Sequence, residues 1–336
     1  MTFLESIFER AKQDKQTIGI PECTNPVMMS AAVKVRSEGI ADVVFIGDPD
    51  EVKKTAQANN IDISGIEIID PADEAMRASV AEKCKEIPEI VFGKKALMKR
   101  MQQPLYLSLG LEAIGKLDCT FAGLDATTFE VVMAGTAMIG LAEGVATASC
   151  FFAVELEEFE GMKDHLIGMS DGGVTLDPTP EQLAGIAISC CETYEALKGE
   201  KARCAMLSYS TVGSGAGPDV DRVCSALKLA NEKRPDLYID GEFQADAALI
   251  ERVAAKKVGR PSEVAGKANV LIFPDIAACN IGSKLVQLTA KCNTYGPLLQ
   301  GFKKPVFDCS RSDTEERIIT NMAFSCVLGA YQKKNK

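Results

Sequence analysis

The stretch TIGIPECTNPVMMSAAVKVRSEGIADVVFIGD, residues 17–48, contains the pattern that decides the fold. TIGIP (17–21) is a short apolar run that predicts a strand, and NPVMMSAAVKVRSEG (25–39) predicts a helix that ends at a glycine. DVVFIGD (42–48) predicts a second strand. Two short strands joined by a helix are typical of a parallel pair, because parallel strands need a long crossover between them.

The same alternation of apolar runs and helical patterns continues along the chain. Further strands are predicted at IEIID (66–70), TASCFFAV (147–154), CAMLSYS (204–210), NVLIFP (269–274) and KPVFD (304–308). This order predicts an α/β protein with parallel sheets covered by helices on both faces. The polar run ELEEFEGMKDH (155–165) and the segment GFKKP (301–305) interrupt the pattern. We therefore expect a discontinuous first domain of residues 1–148 and 303–336, and a second domain of residues 149–302.

Length and charge limit the class of protein. A chain of 336 residues is about right for two domains. The net charge of −10 argues against nucleic-acid binding, since a phosphate backbone attracts basic surfaces. The N-terminal MTFLESIFERAKQ has helical amphipathic spacing rather than the features of a signal peptide. VVMAGTAMIGLA (131–142), the longest apolar stretch, is shorter than the 18–20 or so residues that span a bilayer, so we expect no membrane segment.

Twelve cysteines raise the question of metals and disulfides. No two of them have C-x-x-C spacing, and His165 is the one histidine, so we expect no metal site. Most lie in apolar runs, where cysteine behaves as a small hydrophobic residue. We expect reduced core thiols and a cytoplasmic protein.

A glycine-rich turn follows the strand CAMLSYS. SYSTVGSGAGPDVDRV (208–223) places small residues before a helix that Asp219 is expected to open. Backbone N–H groups in such a turn, together with the helix dipole, suit a phosphate. The spacing fits neither the P-loop nor the dinucleotide-binding pattern. The stretch is therefore either an anion-binding turn or a plain glycine-rich connection.

Two more helix starts border predicted strand ends. Thr179, Pro180 and Gln182 form a capping box that we assign to structure. FPDIAACNIGSKL (273–285) leads from a strand into a helix that carries Asn280 and Lys284. Side chains after such strands point into the ligand crevice of α/β sheets. Asn280 is either a donor to an acyl oxygen or a turn asparagine satisfied by the backbone.

The segment FDCSRSDTEERIIT (307–320) joins the last predicted strand to the last helix. Either Ser312 or Asp313 is expected to cap that helix, with Glu315 or Glu316 completing a capping box. The helix dipole explains the acids of the first turn but not the neighbouring Ser310 and Arg311. An arginine fork at a helix N-terminus is a natural partner for phosphate, so these two residues predict an anion site.

Several stretches together resemble the phosphate acetyltransferase family. They are MLSYSTVGSGAGPDVDRV (206–223), YIDGEFQADAALI (238–250), NVLIFPDIAACNIGSKLVQ (269–287), GPLLQG (296–301) and KPVFDCSR (304–311), with a weaker likeness at LDCTFAGLDATTFEVV (117–132). The resemblance implies two three-layer α/β domains around a cleft, with the architecture of isocitrate and isopropylmalate dehydrogenases, and usually a homodimer. It also implies the reversible reaction acetyl-CoA + phosphate ⇌ acetyl phosphate + CoA, with CoA as a substrate and no permanently bound cofactor.

The resemblance assigns roles to the residues found above. Ser310 and Arg311 match the pair that holds the acyl phosphate, while a carboxylate takes the proton of the thiol. CoA contacts are expected from the glycine-rich turn and the helix that follows NVLIFP, namely from Ser210, Thr211, Gly213, Ser214, Asn280 and Lys284.

The chain departs from the family pattern at three positions. Val212 and Met133 replace basic residues of the family, and the position of the catalytic aspartate falls on Arg317. Glu316 is then either a shifted general base or only a first-turn helix acid. Three functions stay open: a phosphate acetyltransferase, a related enzyme for propionyl or butyryl groups, and a non-catalytic relative that binds CoA or acyl phosphate.

Overall fold

The structure is a computed structural model that describes residues 1–335. It divides into two compact units. The first unit joins Met1–Gly140 to the C-terminal segment that begins at Phe302, and the second is Leu141–Gly301. Each unit contains one β-sheet with helices, which confirms the α/β class. The domain limits drawn from the sequence remain a prediction about which parts fold independently.

The first unit is built from eight helices and five strands among its described residues. They are α1 Phe3–Gln13, β1 Thr17–Ile20, α2 Pro26–Ser37, β2 Asp42–Ile46, α3 Pro49–Ala58, β3 Glu67–Ile69, α4 Glu74–Cys84, α5 Lys94–Arg100, α6 Pro104–Ala113, β4 Cys119–Ala122, α7 Thr128–Met138, β11 Val306–Asp308 and α13 Glu315–Lys334.

The sheet of the first unit is parallel throughout, in the order β11-β4-β1-β2-β3. Two consecutive residues of β4 show that helices cover both faces. The hydroxyl groups of Thr120 and Ser108 of α6 lie 2.9 Å apart, while the thiol of Cys119 lies 3.8 Å from the hydroxyl of Ser325 of α13. Because neighbouring side chains of a strand point to opposite faces, α6 and α13 lie on opposite sides of the sheet.

The strand order creates a ligand-binding position in this sheet. From β1 the chain adds β2 on one side, and β4 later pairs with the other side of β1. The order therefore reverses between β1 and β4. In open α/β sheets a crevice opens outside the carboxyl ends of the strands at such a point.

The second unit contains six strands and five helices. They are β5 Ser149–Phe159, β6 Met162–Ser170, α8 Pro180–Lys198, β7 Arg203–Leu207, α9 Pro218–Lys233, β8 Tyr238–Phe243, α10 Ala245–Leu249, α11 Glu251–Lys257, β9 Val270–Ile272, α12 Ile276–Thr289 and β10 Cys292–Gln300.

The second sheet corrects the expectation of parallel strands only. Its order is β10-β5-β6-β9-β7-β8, and the pairs β10·β5 and β5·β6 are antiparallel. The polar run 155–165, expected to interrupt the fold, forms the far end of the β5–β6 hairpin, where Leu156 pairs with His165. Polar residues fit there because this end of the hairpin is largely solvent-exposed, whereas the other end is buried.

Residues on both faces of β7 are buried in the second unit. Ala205 and Leu207 belong to an apolar cluster with Phe243, Ala247 and Ala254, which includes the side of α10 and α11. Cys204 and Met206 lie between them and are fully buried. This alternation is the pattern of a strand that is covered on both faces.

The cysteines are all free, and ten of the twelve are buried, as expected for core thiols. Cys224 is exposed and Cys292 is partly exposed. No helix within residues 1–335 is long and apolar enough to cross a membrane.

We predict that Gly19→Ala destabilises the first unit by about 1–3 kcal/mol, the range for overpacking a core. A Cβ at Gly19 of β1 would lie 2.3 Å from Oγ of Ser108 and 2.6 Å from a methyl carbon of Leu117. Gly93→Ala is the control, since a Cβ there meets no atom within 4 Å. Urea unfolding of both variants measures the difference, and equal midpoints would contradict this packing.

Candidate functional site

Two acids and a glycine lie at the carboxyl ends of three neighbouring strands of the first sheet. Glu22 comes after β1, Gly123 after β4, and Asp308 ends β11, two residues before Ser310. Since β11, β4 and β1 are adjacent, these residues lie side by side at the point where the strand order reverses. The sheet thus brings the predicted serine–arginine pair to a position that suits a ligand.

The buried carboxylate of Glu22 fixes the loop between β4 and α7. It accepts hydrogen bonds from the backbone N–H groups of Gly123 at 3.0 Å, Leu124 at 2.7 Å and Ala126 at 2.8 Å. Three donors compensate for the loss of hydration that burial imposes on a carboxylate. Glu22 therefore holds the loop from which α7 starts.

Asp308 is a buried acid with an incomplete set of partners. It is 6% exposed, and its Oδ1 has no hydrogen-bond partner in the structure. A Cβ on Gly123 would lie 2.1 Å from this oxygen, so only glycine fits beside it. Burial is the main cause that raises the pKa of Asp308 to about 6, and the charges of Glu22 and Asp313 act in the same direction. The side chain of Thr128 acts to lower this pKa.

Ser310 and Arg311 form an exposed turn directly after Asp308. Asp313 shapes this turn, because its carboxylate accepts from the backbone N–H of Ser310 at 3.0 Å while its own N–H donates to the Ser310 carbonyl. Within residues 1–335, Arg311 forms no ion pair, although its charge contributes to a lowered pKa of Glu130, which depends first on hydrogen bonds from Thr127. A guanidinium left unpaired in this way is available to an anion.

The start of α13 differs from the sequence expectation. Thr314 is the N-cap and accepts from the N–H of Arg317, so the expected caps Ser312 and Asp313 are wrong. The carboxylate of Asp313 accepts from the backbone N–H of Ser310 instead. Glu315 accepts hydrogen bonds from Ser30 and Lys34 of α2 and joins the two helices. Glu316 is exposed in the first turn, so its assignment as a base stays a prediction.

In the second unit, the glycine-rich turn is folded around a buried carboxylate. Glu242 of β8 accepts from the Ser210 hydroxyl at 2.7 Å and from the N–H of Gly213 at 2.8 Å. Burial acts to raise the pKa of Glu242, but these hydrogen bonds outweigh it and hold the pKa below its ordinary value. The N–H of Gly215 donates to Ser210, and that of Thr211 donates to Ser214.

The hydrogen bonds within the glycine-rich turn use backbone N–H groups that were expected to bind phosphate. The turn was expected to offer free backbone N–H groups, but those named above donate within the protein. Ser210 and Thr211 are buried, whereas Gly213 and Ser214 are exposed. Ser210 and Thr211 therefore hold the turn in shape, and contact with a ligand remains a prediction that the exposed pair suits better.

The helix α12 carries the other two predicted contact residues. Nδ2 of Asn280 donates a hydrogen bond to the carbonyl of Gly172 at 3.1 Å. The side chain is thus bonded to the backbone, which is one of the two alternatives drawn from the sequence. An amide nitrogen has two hydrogens, so one donor of Asn280 remains. Lys284 is exposed one turn later. Because β9 and β7 are neighbours, α12 and the glycine-rich turn follow adjacent strand ends of the second sheet.

Comparison with known proteins shows the family to which this chain belongs. The sequence model of the family described as "Phosphate acetyl/butaryl transferase" matches residues 2–326. The chain belongs to this family. A phosphate acetyltransferase of Clostridium acetobutylicum is 39% identical over 97% of this chain and 98% of its own length.

Solved structures agree with the family. A phosphotransacetylase of Streptococcus pyogenes superposes with a TM-score of 0.86 at 29% identity, covering 97% of this chain and 98% of that one. A 4-hydroxythreonine-4-phosphate dehydrogenase of Burkholderia phymatum gives a TM-score of 0.51 at 14% identity, covering 95% and 98% of the two chains. The second likeness shows the fold alone, and it agrees with the dehydrogenase-like architecture that the resemblance implied.

Three carboxylates of this family member were missed from the sequence. Glu22, Asp308 and Glu242 organise the two candidate regions, yet none lies at a helix start or in a metal-like spacing. One signal was present for two of them, because Glu22 follows an apolar run and Asp308 ends one. Glu242 has a structural role, because its carboxylate holds the glycine-rich turn.

The raised pKa of Asp308 predicts a change of stability with pH. Between about 3.8 and about 6 the folded state binds more protons at this residue than the unfolded state, so stability is lost as pH rises through this window. The loss is up to about 3 kcal/mol. Asp308→Asn removes this pH-dependent loss of stability. The variant should therefore gain stability relative to the wild type at pH 8 but not at pH 4.

Urea unfolding at both pH values measures this difference. Asp125→Asn is the matched control, since Asp125 is an exposed acid of the same edge, hydrogen-bonded to Asn25 at 3.0 Å. A difference between Asp308→Asn and the wild type that is the same at pH 4 and pH 8 would show that Asp308 does not titrate as described.

A second prediction concerns the exposed thiol beside the glycine-rich turn. Partial desolvation of the thiol, followed by the charge of Glu242, raises the pKa of Cys224 to about 11, and its Sγ lies 3.5 Å from Oε2 of Glu242. Glu242→Gln should increase alkylation of Cys224 by iodoacetamide at pH 8 about threefold or more, because a thiolate forms more easily without the neighbouring charge. Peptide mass spectrometry provides Cys292 as an internal control, whose rate should not change. Equal rates at Cys224 would refute this coupling.

Proposed function

We propose that this chain is a phosphate acetyltransferase that catalyses acetyl-CoA + phosphate ⇌ acetyl phosphate + CoA. The observation that carries the proposal is the exposed, unpaired guanidinium of Arg311 beside Ser310 at the carboxyl edge of the first sheet. Relatives across the full length of the chain bear this name. CoA is proposed as a substrate, with no permanently bound cofactor.

The proposed mechanism follows from the chemistry of the turn. Arg311 and the Ser310 hydroxyl bind the phosphoryl oxygens of acetyl phosphate and orient its carbonyl carbon. The thiol of CoA loses its proton to a carboxylate, and sulfur attacks the carbonyl carbon. The S–C bond forms, the C–O bond to phosphate breaks, and the proton ends on the departing phosphate. Fixed donors stabilise the tetrahedral oxyanion between these steps.

The second unit is proposed to contribute to CoA binding. Gly213 and Ser214 are exposed on the turn that Glu242 holds, and Lys284 offers a cation. The remaining amide hydrogen of Asn280 can donate to an acyl or phosphate oxygen. Ser210 and Thr211 contribute by shaping the turn rather than by direct contact.

We further propose a cytoplasmic homodimer. The buried free thiols fit a reducing compartment. On α12 the residues Ile281, Leu285 and Leu288 are all exposed apolar side chains, and Cys279 is the one residue of that helix that is buried. A second copy of the chain can cover such a face, and sedimentation measurements of the purified protein test the dimer.

A panel of acyl-CoA substrates tests the function. Purified protein is mixed with phosphate and acetyl-, propionyl- or butyryl-CoA, and the free thiol is followed with a thiol reagent. Acetyl-CoA should be cleaved fastest, with and without a chelator. Release from the longer chains alone would replace the proposal by a different acyltransferase, and silence with all three would replace it by a binding protein.

Arg311→Ala should lower kcat/KM for acetyl phosphate about 10²–10³-fold, as expected when a charged contact to the reacting group is lost. Folding should be unaffected, since Arg311 is exposed and forms no ion pair among the described residues. Arg36→Ala is the control, because Arg36 lies in the last turn of α2 and contacts the carbonyl of Ser64. Normal kinetics with acetyl phosphate in Arg311→Ala would remove this residue from the site.

A further inference from the structure

The reaction needs a group that accepts the thiol proton, and the acids near Ser310 are not equally suited to it. Arg317 occupies the position where the resemblance places an aspartate. Glu315 is bound by Ser30 and Lys34, and Asp313 is bound by the backbone of Ser310. Glu316 is exposed to solvent in the first helical turn and is not enclosed by the protein.

Asp308 differs from these acids in its surroundings. It is buried two residues before Ser310, and Oδ1 has no partner. A carboxyl oxygen without a donor can accept a proton without breaking an existing bond. The environment already favours the protonated form, because burial raises the pKa of Asp308 to about 6. A base with a pKa in this range is well matched to neutral pH.

Thr128 connects this buried carboxyl group to the surface. Its side chain lies near the carboxyl group of Asp308, whose pKa it acts to lower, and the residue itself is exposed at the first position of α7. The loop before it is held by Glu22, so the hydroxyl is fixed relative to the strand end. A hydroxyl both donates and accepts, and it can therefore pass a proton between a bound group and Asp308.

The charged groups around Asp308 come from each neighbouring element. Glu22 after β1 and Asp313 after β11 both raise the pKa of Asp308, while Asp125 after β4 acts on the adjacent Cys309. On α7, the pKa of Glu130 is lowered first by hydrogen bonds from Thr127 and also by the charge of Arg311. The nearby acids therefore act to retain a proton on Asp308.

We propose that Asp308, acting through the hydroxyl of Thr128, accepts the proton of the CoA thiol and takes over the role of the family aspartate that Arg317 replaces. The inference rests on the proposed function. In the direction of acetyl-CoA formation, the S–H proton moves to the Thr128 hydroxyl oxygen while the hydroxyl proton moves to Asp308. The reverse transfer gives the proton to the departing phosphate, so that Asp308 is ionised again at the end of the cycle.

The test measures kcat/KM for CoA with acetyl phosphate between pH 5 and pH 9. In the wild type it should rise through a pKa near 6 and then level off. Asp308→Asn should be about 10²–10⁴-fold slower at pH 7, the usual contribution of a general base. Its rate should then increase about tenfold per pH unit up to the thiol pKa near 8.5, because ionisation in solution replaces the lost base.

Variants of Thr128 test the connection independently of Asp308. Thr128→Val removes the hydroxyl and should give the same alkaline-dependent profile, whereas Thr128→Ser keeps it and should resemble the wild type. A carboxyl band that titrates near pH 6 in infrared spectra should be absent from Asp308→Asn but present in Glu316→Gln. This readout does not depend on catalysis.

Each other outcome overturns the inference. A loss in Asp308→Asn that is equal at every pH shows a structural role only, and so does a Thr128→Val profile identical to that of Thr128→Ser. If kcat/KM of Glu316→Gln, rather than that of Asp308→Asn, increased with pH up to the thiol pKa, Glu316 would be the group that accepts the thiol proton. A wild-type protein that never consumes the CoA thiol refutes the proposed function itself, whereas an active wild type with an unchanged Asp308→Asn profile refutes only the role of Asp308.

Discussion

The carboxylate of Glu22 is the constraint on which the candidate site of the first unit depends. It binds three backbone N–H groups of the loop that follows β4, at distances of 2.7–3.0 Å. Because this loop is fixed, Gly123 can lie against Asp308, and Thr128 can begin α7 within reach of the same acid. Without an anion at residue 22, three N–H groups would lose their acceptor together, each at a cost of about 1–3 kcal/mol if it stayed buried.

The parallel part of the fold could be predicted because its strands are continuous apolar runs. β1, β2, β3, β7, β9 and β11 all lie within stretches that the apolar pattern identified. Four strands lacked that signal. β6 is half polar because one end of its hairpin is solvated, β8 contains Asp240 and Gly241, and β10 contains Gly296 and Pro297. β4 has the sequence CTFA, which contains no Val, Ile or Leu. Glycine, proline and acidic residues are depleted in strands, so tertiary pairing had to decide these cases.

The candidate site was predictable where local chemistry left a residue unexplained. Ser310 and Arg311 were identified because helix capping accounts for their neighbours but not for them, and the structure leaves Arg311 exposed and without an ion pair among the described residues. Glu242 was not identified, since its role depends on donors from a distant segment. Asp308 was not identified, since its surroundings depend on Gly123, which is far away in the sequence. The N–H of Gly213 reaches Glu242 across 29 residues, and no periodicity records such a contact. The same bonds explain why the glycine-rich turn offers fewer free donors than its sequence indicates.

An acid beside an anion site at first contradicts electrostatics, because a carboxylate repels phosphate. The repulsion has a purpose if the acid must accept a proton during the reaction, and burial raises the pKa of Asp308 to about 6, which favours that uptake. In the mechanism proposed above, a bound acyl phosphate adds negative charge near Arg311, and this charge raises the pKa of Asp308 further. Transfer from a thiol of pKa about 8.5 to an acid of pKa about 6 is uphill by about 3 kcal/mol, and each unit by which the substrate raises the acceptor removes about 1.4 kcal/mol of this. Binding of the acyl phosphate would thus itself make proton removal from CoA more favourable, so that the thiolate forms when its reaction partner is already in place.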